Sequence, residues 1–214
     1  MTRPTSRLEQ IGDKVRSNFA SEDGARERGL PLSRDSIRFS ANAIRAVHRG
    51  EFDHARELIG LSKANVDEMN RTLADHGELF YGGFVHNAQK EYAEACITLA
   101  LVSGETLPDP DEIGISYAAY LNGLGEAAGE LRRHLLDTLR YGKIERCEEI
   151  LGAMDDIYSL LVTIDYHDAI TGGLRRTTDM VRGVLERTRG DLTISLRQRE
   201  LERKLEDFGH TLKK

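Results

Sequence analysis

Apolar residues recur at helical spacing along nearly the whole chain, and no run alternates in the manner of a β-strand. Leu8, Ile11, Val15 and Phe19 make a first amphipathic stretch, and the polar segment from Ser21 to Leu30 predicts a connector. Ser33-Arg34-Asp35-Ser36 predicts a helix start with Ser33 or Asp35 as cap. That second helix ends at Gly50, where His48 and Arg49 suit the negative end of its dipole. A third helix covers roughly Phe52 to Asp75 and a fourth about Glu78 to Val102, with Gly82-Gly83 marking a place to bend. Leu107 to Gly114, with Pro108 and Pro110, is the clearest loop. A fifth helix covers about Ser116 to Tyr141, followed by Lys143 to Tyr166, His167 to Arg189 and a charged Leu192 to Phe208. The pattern predicts an all-α bundle of about seven helices in a single domain over residues 1–214.

Two pairs of carboxylates interrupt the two most apolar of these helices. Glu91 and Glu94 stand beside the stripe Phe84, Ala88, Ala95, Leu99 and Val102. Glu126 and Glu130 stand beside the near-heptad seam Tyr117, Leu121, Leu124, Ala128, Leu131 and Leu135. Residues three or four apart share a helix face, so each pair points one way. Two such helices packed together would collect four negative charges, which is costly unless a cation neutralises them. Four carboxylates suit Mg²⁺ or Mn²⁺ and phosphoryl chemistry, in which the metal activates water and stabilises the leaving oxygen. Arg133, one turn beyond Glu130, is placed to hold a substrate phosphate bidentately. The competing reading is that both pairs are ordinary solvated helix charges. Gly123, Gly125 and Gly129 cost about 1 kcal/mol each in a helix interior relative to alanine, which makes sense where another backbone or a ligand comes close. Histidine is absent from both acidic stripes, which disfavours a di-iron bundle or a zinc hydrolase. His54, His76, His86, His134 and His167 are scattered and receive no role.

Composition narrows the picture. A net charge of −6 argues against a global basic coat for nucleic acid and leaves room for a local track. The basic residues are mostly arginine, the better phosphate fork. Arg34, Arg38, Arg45 and Arg49 form one stripe on the second helix, and Arg175 and Arg176, with Arg182, make another. These are candidate contacts to the phosphates of a single strand, against the plainer reading of surface ion pairs. With no Trp and 6% aromatics, sequence-specific base reading is not expected. Cys96 and Cys147 are isolated and read as reduced core thiols. No apolar run spans a bilayer and the N-terminus carries no signal-peptide core, so the expectation is a cytoplasmic protein without membrane contact.

Glu91-Tyr92-Ala93-Glu94-Ala95 and the stretch Tyr120-Leu121-Asn122-Gly123-Leu124-Gly125-Glu126-Ala127-Ala128-Gly129-Glu130-Leu131-Arg132-Arg133 are similar to the two signature stretches of the translin and translin-associated factor X superfamily. Ser33 to Ser36 and Ala43 to Arg49 resemble its N-terminal helix, and the likeness extends over most of residues 33–195. The resemblance implies a translin-like α-α superhelix that self-associates into a closed, hollow homo-oligomer, an octamer. It further implies a prokaryotic, archaeal-type member of the factor X type, an endoribonuclease that cuts single-stranded RNA with Mg²⁺. Single-stranded DNA is a second ligand of the same chemistry. Glu91 and Glu94 match the family's first acidic pair, and Glu126 and Glu130 the second, as catalytic metal ligands. Glu126 stands where the catalytic type usually has aspartate, and its longer side chain still reaches a metal.

Two alternatives stay open at this level. A nucleotide pyrophosphohydrolase of the MazG type also pairs acidic helix motifs with Mg²⁺, but here 31 residues separate Glu94 from Glu126 and the second pair is spaced by four. A non-catalytic scaffold for single-stranded nucleic acid would use the acids only to stabilise the bundle.

Overall fold

The computed structural model describes residues 4–212, which hold nine helices and no strand. Six helices are long: α1 (Leu8–His48), α2 (Phe52–Leu73), α4 (Gly83–Ser103), α6 (Tyr117–Arg140), α7 (Ile144–Thr163) and α9 (Leu174–Leu212). Three short ones, α3 (Gly77–Phe80), α5 (Pro110–Ile113) and α8 (Asp168–Thr171), lie in the connections. The all-α expectation holds.

α4 and α6 pack against each other at the centre. α1 and α2 pair with each other and lie on α4, while α7 and α9 pair and lie on α6. α4 is buried on all sides from Tyr92 to Ala100, and the burial takes in the polar Glu94 and Thr98 with the apolar residues. Tyr92, Ile97, Leu124, Leu131, Leu135 and Leu161 fill the space between the layers. Cys96 and Cys147 are free thiols within this core. No helix among the described residues is long and apolar enough to cross a membrane.

Two expected breaks are absent. The polar segment expected to connect two helices is the middle of α1, and Ser33 is no cap. Ala25 and Gly29 face α2, whose Leu73 Cδ1 lies 3.2 Å from the place a Cβ on residue 29 would take. Pro31 cannot donate to the carbonyl of Glu27, yet the helix runs on because its small-residue face is clamped. The Ser33 hydroxyl donates to the Phe84 carbonyl at 3.0 Å, and Ser36 and Ser40 each lie 2.8 Å from the Ser62 hydroxyl. The serine expected to cap a helix start, and two that follow it, make interface hydrogen bonds here. At the other end, His167–Arg189 and Leu192–Phe208 do not form two helices. The break falls earlier, at Gly172 and Gly173 with φ of +63° and +83°, and α9 then runs unbroken through Gly190. The bend at Gly82 is present, and the proline loop carries α5, capped by Asp109 and Glu112.

Candidate functional site

The site forms where α4 crosses α6. The Ser116 N–H and hydroxyl both donate to Gln89 Oε1, at 3.2 and 3.0 Å, which ties the start of α6 to α4. Two turns on, a Cβ on Gly123 would stand 2.7 Å from the Lys90 carbonyl and from Ala93 Cβ, so only glycine permits this approach. Gly125 plays the same part toward α9, where its Cβ would lie 2.3 Å from Thr177 Cγ2. Gly129 has nothing within 4 Å, so close approach accounts for two of the three glycines and not for this one.

The crossing sets Glu126 opposite Glu91 and Glu94. Carboxylate oxygens from these three lie within 4.8 Å of one another. Glu94 is buried, and burial first, then the charges of Glu91, Glu126 and Glu130, push its carboxyl up to about 8. Lys90 answers part of the negative charge. Its Nζ donates to Glu126 at 2.6 Å and lies 3.3 Å from Glu91. Burial pulls its ammonium down, but the bonds to Glu126 and Glu91 outweigh that and raise it overall. Glu130 does not join the three. His48, at the end of α1, donates from Nε2 to Glu130 Oε2 at 2.5 Å, and this bond holds the Glu130 carboxyl below its ordinary range. The His48 ring is 5% exposed, and its Nδ1 has no partner. The four acids of the sequence are thus three plus one.

This donor set fits a hard divalent cation. It offers three carboxylates, one of them kept protonated near neutral pH by burial and by its acidic neighbours, and a lysine already standing as counter-ion.

Lys90 and Glu126 also line an open groove of about 600 Å³, with His86, Asn122, Asp168 and Arg176 among its walls. Asn122 braces it. Its amide donates to the Ala118 and Thr171 carbonyls at 2.8 Å each and accepts from the Thr177 hydroxyl at 2.7 Å, joining α6 to α8 and α9. His86 is lowered by burial and by Lys90, and a Cβ on Gly172 would lie 2.8 Å from its Cε1.

The arginines divide. Arg176 lines the groove, and Arg133 is near enough to Glu130 to lower its carboxyl further. Arg175 lines a different hollow and pairs with Asp165 at 3.5 Å. Arg34, Arg38 and Arg45 are exposed on α1, and Arg49 is exposed just past its end. Arg38 pairs with Asp35 at 3.0 Å, Arg45 bonds Asn42 at 2.8 Å and Arg49 pairs with Glu51 at 2.6 Å. Lys90, His48 and His86 were not legible as site residues. Lys90 adjoins Glu91 in sequence, but its role depends on α6 arriving across from it. His48 and Glu130 are 82 residues apart.

The fold and site define an all-helical bundle with an acidic centre at a helix crossing, opening on a mixed-charge groove. No family model matches the chain. It is 29% identical over 185 residues to an uncharacterised protein of Methanocaldococcus jannaschii, covering 86% of this chain and 82% of that one. Among solved structures it is similar to AfC3PO in complex with duplex RNA (28% identity, TM-score 0.79) and to AfC3PO alone (27%, TM-score 0.77). Each comparison covers 90% of this chain and 98% of the other. Apo-NeC3PO shares the fold at TM-score 0.77 and 18% identity over 91% of this chain and 99% of that one. These likenesses support a member of the translin/TRAX superfamily.

Proposed function

We propose that this protein is a metal-dependent endoribonuclease that binds and cuts single-stranded RNA within a hollow homo-oligomer, an octamer, built from one domain per chain. The observation that carries the reading is the meeting of Glu91, Glu94 and Glu126 within 4.8 Å beside an open groove. Glu91, Glu94 and Glu126 would hold Mg²⁺ or Mn²⁺, with Glu130 at the edge of the centre. A cation held there would supply charge to polarise a phosphoryl oxygen and stabilise the leaving oxygen. Glu94, raised by burial, would give up its proton to solvent on holding a cation. Arg176, in the groove wall with Glu126, and Arg133, whose charge acts on Glu130, are assigned to the phosphates on either side of the cut. Arg34, Arg38, Arg45, Arg49 and Arg175 are assigned to the more distant backbone, as point contacts that fix no sequence. The likeness to AfC3PO, captured with duplex RNA, supports RNA as the ligand class. Self-association is supported by two uncovered apolar stripes: Leu8, Ile11, Val15 and Phe19 on α1, and Ile194, Leu201, Leu205 and Phe208 on α9.

Labelled single-stranded RNA, duplex RNA and nucleoside triphosphates, each with Mg²⁺ or EDTA, test the reading. Metal-dependent internal cuts in single-stranded RNA, lost in Glu126→Ala with binding retained, are expected. Pyrophosphate release from a triphosphate would instead make it a MazG-type enzyme. One observation favours a second reading, a non-catalytic nucleic-acid scaffold: the Lys90 ammonium partly neutralises the acids without any metal. Binding without cleavage would support it.

A further inference from the structure

Lys90 stands where the carboxylates meet. Its side chain is 16% exposed, and its ammonium spans the gap between α4 and α6 by touching Glu91 on its own helix and Glu126 on the other. Both are members of the three-acid cluster, so the lysine and a metal ion would draw on the same oxygens. A carboxylate oxygen that accepts an ammonium proton at 2.6 Å offers one lone pair fewer to a cation, and the ammonium charge repels that cation at close range. The two ligands compete. Nor is the lysine compelled to stay. It lies on the groove wall beside His86, Asn87 and Arg176, so its four-carbon stem has open space to swing into.

We propose that Lys90 is a tethered counter-cation that closes the acidic centre in the metal-free protein and is displaced from Glu126 when a divalent ion binds. This rests on the metal-centre reading of Glu91, Glu94 and Glu126. Lys90 then sets the affinity of the centre. It holds α4 and α6 together while the acids lack a metal, and it raises the cation concentration at which the centre fills. A lysine suits this better than arginine, because a single ammonium releases both carboxylates in one movement whereas a planar fork grips bidentately.

Mn²⁺ binding, followed by the paramagnetic resonance of the free ion, tests this in the full-length protein without reference to activity. Lys90→Met keeps the length of the side chain and removes the competing charge, and it is expected to bind Mn²⁺ about tenfold tighter or more. Lys90→Arg is expected to bind no tighter than the wild type. A second measurement needs no variant: reductive methylation of wild-type Lys90, read by peptide mass spectrometry, is expected to accelerate when Mg²⁺ is added. Wild-type protein that binds Mn²⁺ while Lys90→Met binds it no more tightly would overturn the competition and leave the metal centre standing. Methylation of Lys90 unchanged by Mg²⁺ would do the same, and decides the matter if Lys90→Met does not fold. Absence of Mn²⁺ binding by wild type and variant alike would overturn both ideas.

Discussion

Replacing Glu94 by glutamine should stabilise the metal-free protein, by an amount that depends on pH. In the unfolded chain a glutamate carboxyl titrates near its ordinary value of 4.5, whereas in the native protein Glu94 is held at about 8 by burial and by three neighbouring carboxylates. The native state therefore keeps a proton that the unfolded state gives up between those two values. Stability falls as pH rises through that window, because the unfolded chain binds fewer protons there than the native one. At pH 7 the gap is about 2.5 pH units, or about 3 kcal/mol at 1.36 kcal/mol per unit. Glutamine keeps the shape and cannot ionise. Urea unfolding in EDTA should show Glu94→Gln ahead of wild type by about 1 kcal/mol or less at pH 5, growing to about 3 kcal/mol at pH 7. The lowered carboxyl of Glu130 does not disturb this: its stabilising effect is lost only as pH falls below 4.5. The lowered imidazoles of His86 and His134 act alike in both proteins and cancel in the difference. A difference that stays constant from pH 5 to pH 8, or a variant less stable than wild type at pH 7, would refute the account of Glu94.

Four further outcomes are expected. Gly123→Ala puts a methyl 2.7 Å from the Lys90 carbonyl and should cost about 1–3 kcal/mol in urea unfolding, whereas Gly129→Ala meets open space and should gain up to about 1 kcal/mol. Ser62→Ala strips the shared partner from the buried Ser36 and Ser40 hydroxyls and should cost about 2 kcal/mol, seen as a lower urea midpoint at unchanged slope. Cys96 is buried with its thiol pushed up to about 12, so it should resist a thiol reagent in the native protein at pH 8 and react once the chain is unfolded. Phe19→Asp and Leu205→Asp place charge in the two uncovered apolar stripes and should lower the mass measured by light scattering; an unchanged mass would remove those stripes from the assembly.

The all-α class and most helix limits were written in the sequence, because apolar periodicity is a local signal that tertiary packing only reinforces. The acidic residues were equally legible as pairs, since three- and four-residue spacing fixes their common face whatever the helix touches. Where local chemistry and packing pull in opposite directions, the sequence misled. Ser33 to Ser36 resembles a helix start with a cap, but α2 and α4 supply Ser62 and the Phe84 carbonyl as partners to Ser36 and Ser33, and α1 continues through Pro31. Gly190 resembles a stop, but one glycine costs a helix only about 1 kcal/mol, and Leu185 and Leu192 are buried in the core on either side of it.

Which acids share a centre was a question of geometry between helices. The sequence collected four; the close approach at Gly123 brings Glu126 to Glu91 and Glu94 and leaves Glu130 to His48, which arrives from another helix. Local spacing determined that the carboxylates lie in pairs, and no rule of spacing reaches from residue 48 to residue 130. Only the tertiary structure could decide that Lys90 completes the centre, because an ammonium finds its second carboxylate only after α6 has packed.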